Sequence, residues 1–129
     1  MDKMNQKTKI IMDVFKNLEA FKLSCKITII TNMDYIKLNT KTSKINTLNQ
    51  CTMSCLESIE TCDLCQYFIA SKSHSMKKAI AFTMSILKNN IECCSKTGFH
   101  PSLKEVNIET TARQCKLLIK SLNNLKKHL

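Results

Sequence analysis

Glycine and proline are almost missing from this chain of 129 residues. It contains one of each, Gly98 and Pro101, and both fall in the same short segment. All-β domains need many tight turns, and tight turns use glycine and proline. The long stretches without either residue therefore favour a few long helices and an all-α fold. A chain of this length is typical of one domain and is sufficient to bury a hydrophobic core.

The sequence also lacks a long uninterrupted apolar run. The apolar stretch that begins at Ile10 is broken by Asp13 and Lys16, so no secretory signal is evident. No run approaches the roughly 20 residues that a membrane-spanning helix needs. We therefore expect a cytoplasmic protein without a membrane span, in which cysteines are thiols, core residues or metal ligands rather than disulfides.

Motifs for catalysis are missing as well. There is no glycine-rich phosphate loop, no serine nucleophile elbow and no pair of carboxylates in an apolar setting. Cys93 and His100 could pair as nucleophile and base, but no residue pattern indicates a group that orients the histidine. We therefore expect that the protein is not an enzyme.

Acidic residues are half as frequent as basic ones, which gives a net charge of +10. The lysines are scattered from Lys3 to Lys127, there are only two tyrosines, five phenylalanines and no tryptophan, and no helix-turn-helix or zinc-finger spacing is present. Nucleic-acid binding usually needs a clustered basic patch or an aromatic stacking platform. The charge therefore predicts solubility and weak attraction to anions, and not nucleic acid as the main partner.

Cysteine is the residue type that the chain has in excess, with eight copies. Between Leu48 and Ala70, polar and charged residues surround a row whose positions step by four, three, four, three and four residues. At about 100° per residue, such a row stays within a sector of roughly 80° on one helix face. The row predicts a helix with this face in the core, and its members are Cys51, Cys55, Ser58, Cys62, Cys65 and Ile69.

Three other segments have helical periodicity. Residues 5–24 predict an amphipathic helix that extends as far as Cys25, with a core face of Ile10, Ile11, Val14, Phe15, Leu18 and Phe21. A third helix begins after Ser75 as N-cap and ends at Gly98, with a core row of Met76, Ile80, Met84, Leu87, Ile91 and Cys94. A fourth begins after Ser102, with Glu105 as capping-box partner, and has a core row of Val106, Thr111, Cys115, Leu118, Leu122, Leu125 and Leu129.

The segment between the first two helices is ambiguous. In residues 26–38, polar and apolar side chains alternate and several of them are β-branched, which favours a short hairpin. A second helix also fits the number of apolar residues. Residues 39–47 are polar and predict a linker. Because the later connections are short, we predict a single-domain antiparallel four-helix bundle. Its parts are an N-terminal helix with an irregular crossover (1–47) and a cysteine-bearing three-helix part (48–129).

Four thiols on one helix face indicate a soft metal ion, because thiolates are the ligands that Cu(I) prefers. Residues three or four apart on a helix are neighbours, so both cysteine pairs of the row could share an ion. The predicted metal ligands are Cys51, Cys55, Cys62 and Cys65, with Cys94 and Cys115 as additional thiols. Candidate entry-site ligands are Met53, Met76, Met84, His74 and His100.

Two alternatives to a copper site stay open. Zinc could use the Cys62-x2-Cys65 half-site with Cys93, Cys94 or Cys115, although the second half lacks the usual spacing. Buried cysteine also serves as a small hydrophobic residue, in which case no metal is bound. A thioredoxin-like role for the Cys62–Cys65 pair is disfavoured, because that motif needs a helix start and this pair lies within a helix.

The pattern Cys-x3-Cys-x2-Ser-x3-Cys-x2-Cys-x3-Ile resembles the cysteine-rich four-helix-bundle copper storage proteins. In that family the corresponding helix carries six inward cysteines at the same spacing. Here Ser58 and Ile69 stand at two of the six places. The resemblance covers residues 50–128 and includes the corner at 98–102 and a basic, histidine-containing end at 126–128. It implies a bundle that binds Cu(I), and the fewer cysteines in the later helices imply a reduced capacity.

We therefore predict a soft-metal binding protein that stores or buffers Cu(I), with zinc as the second choice of metal. The alternative is a metal-free helical interaction module whose basic surface binds a protein or an anionic partner. A homo-oligomer is compatible with either function.

Overall fold

The computed structural model describes residues 3–38, 45–95 and 103–129, and this part of the chain contains helices and no strands. The helices are α1 (Lys3–Leu38), α2 (Ile45–Ala70), α3 (Met76–Ser95) and α4 (Leu103–Lys127). They pack in a ring, α1 on α2, α2 on α3, α3 on α4 and α4 on α1. Short connections make sequence neighbours antiparallel. The predicted all-α four-helix bundle is confirmed.

Helix α1 is longer than the sequence predicted. Residues 26–38 continue the helix without a break, so the hairpin alternative and the irregular crossover are wrong for these residues. Thr28 and Asn32 are buried and extend the row of Phe21 and Cys25 at steps of three and four. Packing of this continuous face outweighs the weak β preference of the isoleucines and threonines. Of the predicted linker, residues 39–44 lie outside the described residues and residues 45–47 belong to α2.

The bundle core contains the predicted row of α2 in full. All six positions from Cys51 to Ile69 are at most 2 % exposed. The rows predicted for α1 and α4 are also mainly buried, although Ile11, Phe15 and Leu129 are only partly so, and the side chain of Val106 lies outside the described residues.

Only part of the row predicted for α3 is fully buried. Ile80, Leu87 and Cys94 are buried, together with Thr83 and Asn90, whereas Met76, Met84 and Ile91 are only partly buried. Thr83 Oγ1 donates to the Ala79 carbonyl at 2.7 Å and the Asn90 amide donates to Ser54 Oγ at 3.0 Å. Buried polar groups are tolerated when they have hydrogen-bond partners. A count of apolar residues alone could not find this row.

The turn between α2 and α3 is a Schellman motif. Ser73 N–H donates to the Phe68 carbonyl at 3.1 Å, and Lys72 N–H donates to the Ile69 carbonyl at 3.2 Å. Lys72 has a φ of 53°, in the left-handed region that this motif requires. Helix α3 then begins after Ser75, whose carbonyl accepts the Ala79 N–H at 2.9 Å, as predicted for the N-cap position.

The predicted corner between α3 and α4 lies outside the described residues. This applies to the C-cap at Gly98, to residues 99–102 and to the side chain of Glu105. None of the described helices combines the length and the hydropathy that a bilayer crossing requires.

Helix α2 differs in charge from the rest of this basic chain. It contains three carboxylates, Glu57, Glu60 and Asp63, and no lysine or arginine. Asp63 accepts a hydrogen bond from Lys22 Nζ of α1 at 2.7 Å, and Glu19 accepts another at 2.8 Å. The outward side of the helix that carries the thiol row is therefore acidic.

Candidate metal centre

Three cysteine sulfurs converge in the core between α2 and α3. Cys51 and Cys55 lie one turn apart on α2, and Cys94 lies near the end of α3. Their side chains are buried, and all three sulfurs lie within 4.8 Å of one another. The Sγ atoms of Cys51 and Cys94 are 3.0 Å apart. This group, called the cysteine trio below, could hold a metal ion.

The antiparallel packing of α2 and α3 explains why these residues meet. The first turns of α2 lie beside the last turns of α3, because a short turn joins the opposite ends of the two helices. Cys51 therefore faces Cys94, and Cys55 faces Asn90, which lies one turn before Cys94. Within α2, the four-residue spacing places both thiols on the same face.

Cys25 of α1 adds a fourth thiol beside the trio, and it is not among the ligands predicted from the sequence. It is buried and its thiol hydrogen-bonds to Cys55. The sequence did place Cys25 on the core face of the first helix. The periodicity of one helix, however, does not state which residue of another helix lies opposite, so its pairing with Cys55 had no sequence signal.

Cys55 is the sulfur at the centre of this hydrogen-bond arrangement. Bonds from the thiols of Cys25, Cys51 and Cys94 hold the pKa of Cys55 below its ordinary value. The same bonds raise the pKa of the thiols that donate them. The bond to Cys55 raises the pKa of Cys51 to about 12 and raises the pKa of Cys25, and the bond to Cys51 raises the pKa of Cys94. Hydrogen bonds of this kind stabilise negative charge on the acceptor sulfur of Cys55.

Two buried asparagines direct their amide groups towards the thiols. Asn90 Nδ2 donates to Ser54 Oγ at 3.0 Å and lies 3.7 Å from Cys55 Sγ. Asn32 Nδ2 donates to Thr52 Oγ1 at 3.3 Å, and its hydrogen bond to Cys51 lowers the pKa of that thiol. Amide donors of this kind stabilise sulfur that carries negative charge. They therefore complement a thiolate–metal group.

The other three predicted ligands are buried but do not join the trio. Cys62, Cys65 and Cys115 belong to no group of three converging ligand atoms in the described part of the chain. Burial raises the pKa of each of these thiols, to about 12 for Cys115. Cys115 Sγ also donates to the Leu87 carbonyl at 3.3 Å. Metal binding by these three residues stays a prediction.

The zinc alternative and the entry-site candidates have less geometric support. No cluster of three ligands forms around the Cys62–Cys65 half-site within the described residues. Met76 and Met84 pack against the core as partly buried side chains, whereas Met53 and His74 are exposed. His100 lies outside the described residues, which also applies to its predicted pairing with Cys93.

A surface groove of about 700 Å³ lies between α2 and α3 beside the trio. Ser54, which lines this groove, accepts the hydrogen bond from Asn90, and Asn90 in turn contacts Cys55. Cys93, the neighbour of Cys94, also lines it. The remaining lining residues are Asn49, Gln50, Met53, Leu56, Glu57, Glu60 and Asn89. The groove, called the α2–α3 groove below, is therefore one layer of side chains away from the sulfurs.

Comparison with family models, with curated proteins and with solved structures gave no match to this chain. The function of this chain is therefore inferred from the geometry of the cysteine trio and its surroundings.

Proposed function

We propose that this protein binds a Cu(I) ion through the thiols of Cys51, Cys55 and Cys94. The observation that carries this proposal is the convergence of three buried sulfurs within 4.8 Å of one another. Metal–thiolate bonds are about 2.3 Å long, so three sulfurs around one ion lie about 4 Å apart. The present separations fit this arrangement once Cys51 and Cys94 move apart by about 1 Å, which side-chain rotation can provide.

The donor set favours Cu(I) over zinc. Structural zinc sites are almost always tetrahedral and use four ligands, whereas soft thiolates select Cu(I). The trio has three sulfurs, and neither a histidine nor a carboxylate joins them in the described part of the chain. Cys25 contacts Cys55 but not the whole group, so it serves as a neighbouring thiol rather than as an equal fourth ligand.

Storage or buffering is the role that fits such a site. All three thiols are at most 3 % exposed, so a bound ion is shielded from solvent and from reaction. The resemblance of the thiol row to copper storage proteins supports the same role. Since three of the six predicted thiols converge, we propose a capacity of one ion.

The test is titration of the reduced protein with Cu(I), without oxygen, against a chromophoric chelator. We expect one tightly bound equivalent for the wild type, and loss of that equivalent in a variant with Cys51→Ala, Cys55→Ala and Cys94→Ala. The matched control is Cys62→Ala with Cys65→Ala, because this pair lies on the same row of α2 but outside the trio. The control should retain the tight equivalent.

Two results would contradict the proposal. Wild-type protein that cannot compete with the chelator would favour the alternative of a metal-free interaction module. Equal losses in the trio variant and in the control would place the site elsewhere along the thiol row. Circular dichroism of each variant shows whether a loss of binding comes from loss of helix.

A further inference from the structure

The thiols of Cys51 and Cys94 lie close enough for a second kind of chemistry. Their sulfurs are 3.0 Å apart and belong to different helices. A disulfide bond is about 2.05 Å long, so only about 1 Å separates this pair from bonding distance. We propose that Cys51 and Cys94 form a reversible disulfide between α2 and α3, with hydrogen peroxide as the oxidant.

The geometry favours this pair over two neighbouring pairs, Cys51–Cys55 and Cys93–Cys94. Cys51 and Cys55 are four residues apart on one helix, where Cβ atoms are about 5 to 6 Å apart, whereas a disulfide needs about 3.5 to 4.5 Å. Cys93 and Cys94 are adjacent, so their Cα atoms are about 3.8 Å apart, below the usual range for a disulfide. Cys51 and Cys94 face each other across a helix interface and have neither restriction.

The reaction is balanced with one peroxide. The sulfur of one residue attacks a peroxide oxygen, the O–O bond breaks, and the hydroxide that leaves takes a proton to become water. The resulting sulfenic acid is attacked by the second sulfur, the S–S bond forms, and the S–O bond breaks with release of a second water. Two thiols lose two electrons in total, and one peroxide is reduced to two waters. A thiol reductant reverses the reaction by disulfide exchange.

The α2–α3 groove provides a short route for a small oxidant. It lies beside the trio, and its lining includes Ser54 and Cys93. These residues directly precede Cys55 and Cys94 in the sequence, and Ser54 also accepts a hydrogen bond from Asn90. Hydrogen peroxide is little larger than water and needs only local side-chain motion to pass this layer. Larger disulfide oxidants need a wider opening, so we expect them to react more slowly.

The effect of this disulfide on metal binding rests on the proposed function, in which the trio binds Cu(I). The disulfide removes two of the three ligand sulfurs, and only Cys55 is left. Loss of a single second-shell partner already costs about 10- to 100-fold in metal affinity, so loss of two ligands should cost more than about 100-fold. Oxidation would therefore release the ion, and reduction would restore the site.

The disulfide itself is tested on the metal-free, full-length wild type. The reduced protein is treated with a small excess of hydrogen peroxide, alkylated in denaturant, digested with trypsin and analysed by mass spectrometry. We expect the number of alkylated thiols to fall from eight to six. The peptides that contain Cys51 and Cys94 should be linked, and dithiothreitol should separate them. Eight alkylated thiols, both after peroxide and after long equilibration in an oxidising glutathione buffer, would overturn the proposal.

Matched variants identify the pair. Cys94→Ser and Cys51→Ser should abolish the link, whereas Cys93→Ser, one residue away and nearer to solvent, and Cys55→Ser should retain it. Cys65→Ser is the control on α2. A link that persists in Cys94→Ser, or disappears in Cys93→Ser, would contradict the assignment. Because the wild type is the main sample, a variant that fails to fold does not remove the test.

A second measurement separates this inference from the copper proposal. Cu(I) affinity is compared for the reduced and the cross-linked wild type, and we expect the cross-linked form to bind more than 100-fold more weakly. A cross-link in a protein that never binds Cu(I) would support the disulfide and contradict the metal function. Equal Cu(I) affinity in both forms would contradict the inference that the disulfide releases the ion.

Discussion

At the scale of single residues, the buried thiol of Cys115 behaves as a small apolar group that stays protonated. Cys115 is fully buried on α4, and its thiol donates to the Leu87 carbonyl. Burial raises the pKa of this thiol to about 12. The protonated thiol of Cys115 is therefore part of the packed core, and its ionisation should destabilise the fold.

Stability should fall at alkaline pH because of Cys115. The thiol pKa is higher in the folded than in the unfolded state, so the unfolded chain loses its proton first. The stabilisation is complete below pH 8.5 and is lost as pH rises towards 12. Between pH 8 and pH 10, the wild type should lose about 2 kcal/mol more unfolding free energy than Cys115→Ala.

Denaturant unfolding at a series of pH values measures this difference. Leu118→Val is the control, since it weakens the same part of the core without removing a thiol. Its pH dependence should match that of the wild type. If Cys115→Ala loses stability over this pH range as steeply as the wild type does, then ionisation of Cys115 has no such effect.

Residue identity was only partly informative about the site. The burial of Ser58 within the thiol row was predicted, and the side chain is fully buried. Its hydroxyl has no hydrogen-bond partner among the described residues, which the sequence did not indicate. Asn90 and Asn32, which approach the thiols, had no sequence signal either, because isolated asparagines usually lie at the surface.

At the scale of single helices, the turn after α2 contains a residue that is poorly suited to its conformation. Lys72 occupies the left-handed position of the Schellman motif, where a side chain beyond glycine costs about 1 to 2 kcal/mol. Lys72→Gly should remove this cost, and the greater flexibility of glycine in the unfolded chain offsets part of the gain. We expect a net stabilisation of about 0.5 to 1 kcal/mol.

Thermal or denaturant unfolding checks this prediction. Lys88→Gly is the matched control, because Lys88 is exposed within α3 and glycine there should destabilise by about 1 kcal/mol. Destabilisation by both substitutions would mean that the lysine at position 72 makes a contact that outweighs its backbone conformation.

Helix periodicity predicted α2 better than it predicted α1 and α3. The row of α2 consists of cysteines and one isoleucine with a single serine, so its spacing is clear. In α1, the β-branched residues near Thr28 favour an extended chain locally, and packing against α2 and α4 decides for helix. Thr28 lies in the contact with α4, where its hydroxyl bonds Thr111 Oγ1 at 3.0 Å and accepts from Asn107.

At the scale of the whole molecule, the proposed metal would connect helices that already form a core. The apolar cluster includes residues of all four helices, among them Val14, Ile69, Leu87 and Leu122. The protein should therefore be folded without metal, and Cu(I) should add stability by binding only the folded state. At a free ion concentration 1,000 times the Kd, the gain is about 4 kcal/mol.

For a domain of this size, such a gain should raise the Tm by roughly 10 to 15 °C. Scanning calorimetry with Cu(I) buffered by a chelator measures the shift, and excess chelator should reverse it without loss of helical circular dichroism. The variant lacking the three thiols of the trio should show no shift. Identical unfolding curves for the wild type with and without Cu(I) would contradict this prediction.

The fold could be predicted from the sequence more completely than the site. A helix row specifies which face is buried, and this was sufficient for a four-helix bundle. The convergence of Cys51 and Cys94 depends also on the axial position of α3 against α2, which the turn at 71–75 determines. No local pattern encodes that position. The sequence therefore predicted Cys94, Cys62 and Cys65 all as ligands, without indicating that only Cys94 joins Cys51 and Cys55 in the trio.

The acidic outer side of α2 gives this cationic molecule a preferred direction of approach for metal cations. Glu57 and Glu60 line the α2–α3 groove, while the chain as a whole carries a charge of +10. A positive ion is therefore attracted to the groove beside the cysteine trio, while the net charge of the chain repels it elsewhere. Such local focusing weakens as added salt screens the carboxylates. The rate of copper uptake, more than the final occupancy, should then depend on ionic strength.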